Sequence, residues 1–219
     1  MSYHPLIAYF VEQGVPLATV ALLLMLPIVA TLVAFFRQVV GIKAFGIYTP
    51  SIITFALIAF DPNGLKYGIA IFLSVILVGM VSRYILKYFR LLYLPRVAIT
   101  LSIVSLSILG ILVVGGLFHR TGLASINIFP LLIMITLVEK FVATQIEKGN
   151  KVASILALET LVISVAGYFL VSWDALTALI LEYPWVVLLT FVVNFSLGKW
   201  TGLRLSEYLR FRKVFRNMQ

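Results

Sequence analysis

The feature that most limits what this chain can fold into is its series of long apolar blocks, most of them flanked by lysine or arginine. Within a block the apolar residues run on without a period of 2 or 3.6, the pattern of helices surrounded by lipid. Composition agrees. Of the 219 residues 62% are hydrophobic and 11% charged, too little charge to cover a soluble domain of this size. There are no cysteines, so no disulfide framework and no thiolate metal site is expected. A net charge of +9 on a soluble protein would point to nucleic acid. Here the basic residues flank apolar blocks, so the expected partners are anionic headgroups of an inner leaflet, and no nucleic acid.

Charges divide the sequence into seven apolar segments, at about residues 13–36, 44–60, 67 to somewhere in 82–89, 97–117, 125–138, 152–172 and 183–198. Some fall near the lower limit for a span, which flanking Lys, Arg and Tyr extend by snorkelling. Alternate connections and the tail hold 15 of the 17 basic residues, including Arg37, Lys43, Arg83, Lys87, Arg90 and Arg96. By the positive-inside rule this bias predicts seven spans with the N-terminus outside and the C-terminus in the cytoplasm. The expected fold class is therefore all-α, a polytopic membrane protein. Residues 1–12 form a short external segment, 13–198 the seven-helix domain, and 199–219 a basic amphipathic cytoplasmic tail on the inner leaflet. The first 15 residues lack the positive n-region and small-residue cleavage site of a cleaved leader.

The stretch GIKAFGIYTPSIITF, Gly41 to Phe55, joins the first two segments. Its glycines allow a bend, and Pro50 disfavours helix in the residue before it. It is either a tight corner between two helices or the mouth of a site, since lipid tolerates such breaks only under protein or a watery cavity. A weak duplication points the same way. Segments two to four and five to seven each open near a proline, Pro50 in IYTPSIITF and Pro130 in NIFPLLIMI. Such trios would form inverted three-helix repeats, a plan of transporters whose sites lie where broken helices meet. Two helices that merely begin near a proline would look the same.

Glu159 is the one acid well inside a predicted span, and an ionisable residue at that depth is a functional candidate by default. Asn194, at a comparable depth on segment seven, is a candidate partner. The functional reading is a proton- or substrate-linked carboxyl; the structural reading is an interhelical hydrogen bond. Glu139, Lys140, Glu147 and Lys148 read as interfacial charges at the inner face, with a minor reading in which they grip a soluble partner. Gly198 and Gly202 make a small-xxx-small pattern at the membrane edge. Trp173, Trp185 and Trp200 read as belt anchors. His4 and His119 are the only histidines, and no HExxH, Walker loop, GxSxG or DxD cluster is present. No enzyme activity, metal or cofactor is expected.

The strings GIKAFGIYTPSIITFAL, RLLYLPRVAITLSIV, INIFPLLIMITLVEKFVATQIEKG and LGKWTGLRLSEYLRFRKV lie in an order and spacing that resembles a bacterial family. It is the seven-helix membrane domain usually fused to an inactive transglutaminase-like domain. The resemblance covers Arg37 to Phe215. In that family the transglutaminase-like part precedes the helices and lies outside; here about 15 residues precede the first segment, so that domain would be missing, cut off or supplied by another chain. The resemblance implies a genetic neighbourhood with an ATP-grasp ligase similar to glutamate-ligating enzymes and with an aspartic-protease-like protein. It extends more distantly to the membrane subunit of poly-γ-glutamate synthase, through the motifs around Pro50 and Pro130.

Together these readings lead to an inner-membrane component that docks a cytosolic peptide ligase and helps move its anionic product outward. Lys43, Arg96, Lys140 and Lys148 would form a basic cytoplasmic entrance. Gly46, Thr49, Pro50 and Pro130 would shape the broken-helix path, and Glu159 with Asn194 would gate it or relay protons. The rival is a non-transporting scaffold or sensor that couples an external transglutaminase-like domain to a cytosolic partner. A homo-oligomer is compatible with either.

Overall fold

A computed structural model describes residues 4–60, 64–117 and 128–200, together with Gly202 and Leu205. The basic tail beyond Leu205, and the connections around Asp61 and Arg120, lie outside the described residues. Every described element is helical: α1 Pro5–Glu12, α2 Leu17–Phe35 continuing as a π-helical stretch Phe36–Val40, α3 Tyr48–Ala59, α4 Gly64–Leu86 and α5 Tyr93–Leu117. Then follow α6 Ile128–Lys148, α7 Asn150–Val171, α8 Asp174–Glu182, a 3-10 turn Pro184–Leu188 and α9 Leu189–Gly198.

Five helices are long and apolar enough to cross a membrane, and α8 with the turn and α9 makes a sixth span if that bent pair is one. The remaining apolar element, α3, has 12 residues and so spans only about 18 Å. The apolar elements thus follow the order expected from the sequence, but three of them depart from the expected bounds or continuity. Segment two is helical only from Tyr48, because the backbone before it turns through Gly41 and Gly46 at φ 89° and 82°. Segment five does not stop at Val138; α6 runs to Lys148 because its buried face continues through Phe141, Val142 and Gln145 at helical spacing. Segment seven begins at a sharp break. Residues 174–182, expected as a connection, are helical, and the chain turns by 101° before α9. Pro184 accounts for the break: it disfavours helix at Tyr183, which sits at φ −126°, ψ 73°.

The expected external segment contains a helix as well. Pro5 suits the first position of α1, and the His4 Nδ1 accepts the Leu6 N–H at 3.2 Å. Ile7 is buried against Val20 of α2 and Leu181 of α8.

Contacts divide the chain into two compact units, a terminal one of residues 1–51 with 166–219 and a central one of residues 52–165. In the terminal unit α2 packs against α1, α8, the 3-10 turn and α9. In the central unit α4, α5 and α6 pack against one another. Val75 of α4, Val104 of α5, and Met134 and Val138 of α6 are fully buried. Leu106 and Leu109 of α5, 68% and 60% exposed, are the kind of surface that lipid covers. Pro50 and Pro130 each stand third in their helices, α3 and α6. The helices they open differ in length, however, since α3 has 12 residues and α6 has 21.

Candidate functional site

The terminal unit holds a cleft of about 390 Å³ where the regular helix of α2 gives way. One wall is the π-helical stretch. A π turn adds a residue to the helical period and re-aims the side chains that follow, and such turns gather at functional sites. Here it presents Arg37 and Gln38 to the cleft. Gly41, at φ 89°, ends the stretch, and its N–H bonds the Phe36 carbonyl at 2.9 Å. The chain then doubles back so that Lys43 faces the same space. The opposite wall is α9, which contributes Asn194. Ala34, Ile42, Ile47 and Leu197 supply the apolar remainder. A volume in this range holds a small ligand or the end group of a larger one.

The walls are tied together by two long-range hydrogen bonds. Asn194 Nδ2 donates to Thr31 Oγ1 at 2.7 Å, and Thr31 Oγ1 donates in turn to the Pro27 carbonyl at 2.8 Å. Gln38 Nε2 donates to the Trp200 carbonyl at 3.3 Å. At the far end of α9, Lys199 Nζ lies 4.4 Å from the centre of the Phe195 ring. Two cations and two amides therefore share the cleft, and among the described residues no carboxylate lines it. That set of donors suits a carboxylate or phosphate on a peptide-like molecule.

The residues singled out in the sequence fall into separate places. Lys43 and Asn194 meet in the cleft, and Gly46 supplies the second left-handed turn leading into α3. Thr49 is half-buried and Pro50 buried in the first turn of α3. Arg96, Lys140 and Lys148 belong to the central unit, so they do not line this cleft with Lys43. Lys140 and Lys148 are exposed on α6, while Arg96 is half-buried with Nη2 bonded to the Leu91 carbonyl at 2.8 Å. Pro130 is buried on α6.

Glu159 lies near the middle of α7, half-buried, in the central unit. Asn194, its expected partner, belongs to the terminal unit and bonds Thr31. Beside Glu159 runs a seam of buried hydroxyls. Thr54 of α3 donates to the Ser164 carbonyl of α7 at 3.1 Å, and Ser164 Oγ donates to the Thr160 carbonyl at 2.8 Å. Glu159 directly precedes Thr160 of this seam in the chain. Among the described residues no group of three or more His, Asp or Glu is placed to hold a metal.

Arg37, Gln38 and Thr31 were not among the candidates read from sequence. The signal for the first two was present: a charged and an amide residue directly precede the glycine-rich stretch. Thr31 carried none, because a hydroxyl four residues after a proline reads as local back-bonding.

A family model described as seven transmembrane helices usually fused to an inactive transglutaminase matches residues 10–215. Comparison with curated proteins and with solved structures returns no match.

Proposed function

Because this chain belongs to the family of seven transmembrane helices usually fused to an inactive transglutaminase, we propose that it is a bacterial inner-membrane component of a glutamate-ligase-linked system. It docks a cytosolic ATP-grasp ligase and passes the anionic peptide product outward. The observation that supports this reading is the cleft that groups Arg37 and Lys43 with Gln38 and Asn194 on a broken helix. Two cations attract a polyanion to the membrane surface, and two amides match the peptide bonds between its carboxylates. The ligase itself rests on the resemblance in sequence. In this reading Arg96, Lys140 and Lys148 serve ligase docking, and Glu159 beside the hydroxyl seam gates the path or relays protons.

Flux of a labelled γ-glutamyl peptide into proteoliposomes tests the proposal. Lys43→Gln combined with Arg37→Gln should lower uptake at least tenfold, the loss of two charge-assisted contacts. Wild-type flux in that double variant removes the cleft from the path. Equal flux in Glu159→Gln removes the role of that residue alone.

The family's usual fusion partner favours a second reading. An inactive transglutaminase domain has lost its chemistry, which leaves binding as its remaining use. The membrane domain would then be a scaffold or sensor that holds an external domain and relays its state to a cytosolic partner. Co-purification from native membrane together with absent peptide flux supports the scaffold over the transporter.

A further inference from the structure

The central unit carries a polar knot of which the proposed ligase docking uses only Arg96. Gln145 is fully buried near the end of α6, and neither its Oε1 nor its Nε2 has a hydrogen-bond partner. Ser82 of α4, 1% exposed, has an unpartnered Oγ, and the Nε of Arg96 on α5 is likewise buried and unpartnered.

The packing brings these groups to one level. Cα of Gly79 faces α6 closely enough that an added Cβ would stand 3.6 Å from Val138 and 3.7 Å from Phe141. One turn further along both helices stand Ser82 and Gln145. At the same end Arg83 Nη1 donates to Asn150 Oδ1 at 2.7 Å, across to the start of α7. The Arg83 guanidinium also feels the charge of Arg96. Two arginines repel here, and no carboxylate among the described residues is paired with either. Arg96 is half-exposed while its Nε is shut off from solvent, so the side chain runs from the surface into the interior.

A buried amide with neither end satisfied is costly, and two neighbouring cations without a counter-charge are costly as well. A single anion with several acceptor oxygens takes up the amide's Nε2 and the Ser82 hydroxyl as donors and supplies the missing counter-charge to both arginines. We propose that the phosphate group of an anionic phospholipid docks at this end of the central unit, held by Arg83 and Arg96 and hydrogen-bonded by Gln145 and Ser82. The lipid source follows from the surroundings. Tyr84 and Tyr88 are 65% and 73% exposed, and Leu92 and Leu94 are 79% and 76% exposed. Such a rim suits headgroup-level aromatic rings above acyl chains and would be poorly matched to water.

The test uses the full chain, delipidated in neutral detergent and titrated with phosphatidylglycerol, phosphatidylcholine or inorganic phosphate, with bound lipid read by native mass spectrometry. One phosphatidylglycerol per chain should be retained, with phosphatidylcholine bound at least tenfold more weakly. Gln145→Leu should weaken retention about tenfold, the effect of one buried charge-assisted bond, and Arg96→Gln by more. Gln145→Leu removes an unpaired amide, so its thermal stability should equal or exceed that of the wild type, which separates lost binding from lost folding. Equal retention of both lipids, or wild-type retention in both variants, overturns the site. Displacement of the lipid by millimolar inorganic phosphate overturns the lipid as its occupant.

Discussion

The Asn194–Thr31 hydrogen bond offers the sharpest test of how the cleft is built. Pro27 has no N–H to give the carbonyl one turn earlier, so α2 is locally weakened there. Thr31 places a second donor on the Pro27 carbonyl at 2.8 Å, which orients its own lone pairs toward α9. Asn194 uses them at 2.7 Å. In membrane proteins such an interhelical bond contributes about 0.6 kcal/mol on average and up to about 1.7. The short distance and the strict donor-to-acceptor chain place this one in the upper half of that span. A double-mutant cycle with Thr31→Val and Asn194→Leu should therefore return a coupling of about 1–1.7 kcal/mol, a factor of roughly 5 to 18 in the unfolding equilibrium. Reversible unfolding of the four proteins in bicelles by added denaturing detergent measures it. A coupling below about 0.3 kcal/mol, within additivity error, would refute the assignment of this bond as the tie between α2 and α9. The same variants divide position from chemistry. Thr31→Val breaks the tie but leaves the Asn194 amide in the cleft, whereas Asn194→Leu removes both. Peptide flux lost in Asn194→Leu alone assigns the amide to ligand contact; equal loss in both assigns it to holding α9 in place.

Two further predictions concern the backbone. An alanine at Gly68 of α4 would drive its Cβ into Leu57 and within 3.2 Å of Phe60, both buried on the α3 side. Overpacking costs about 1–3 kcal/mol, more than the roughly 1 kcal/mol gained by Gly→Ala in a helix. Gly68→Ala should lower the melting temperature, whereas Gly79→Ala, which meets only ordinary contacts at 3.6 and 3.7 Å, should leave or raise it. At Gly46 an added Cβ would meet nothing within 4 Å, so the penalty of alanine there is the left-handed backbone alone, about 1–2 kcal/mol. Gly46→Asn should recover part of that loss, because Asn tolerates this conformation; a loss as large as that of alanine would show that the turn matters through packing.

How much of this was legible in the sequence depended on whether a polar residue faces water. The three long spans α4, α5 and α7 lie close to their apolar blocks, because lipid-facing helices are written as uninterrupted hydrophobic runs. The expected end of segment five at Glu139 and Lys140 failed because those two side chains lie on the exposed face of a helix that continues. Its buried face, Leu137, Val138, Phe141 and Val142, was readable as a helical stripe through the charges. Helix α8 was hidden in the same way, with Asp174 and Glu182 at its two ends making nine residues of amphipathic helix look like a connection.

The candidate sites divide along the same line. Lys43 and Asn194 could be named in advance, since a cation beside a glycine-rich break and an amide inside an apolar run are both anomalies. Gln145 could not. It stands between Thr144 and Ile146 at the end of a helix, where glutamine ordinarily meets water, and only the convergence of α4, α5 and α6 removes that water. Sequence position therefore predicts an open cleft better than a buried knot. A cleft is made by breaks in the chain, which local chemistry dictates. A knot is made by three helices meeting, and no single stretch of residues records that event.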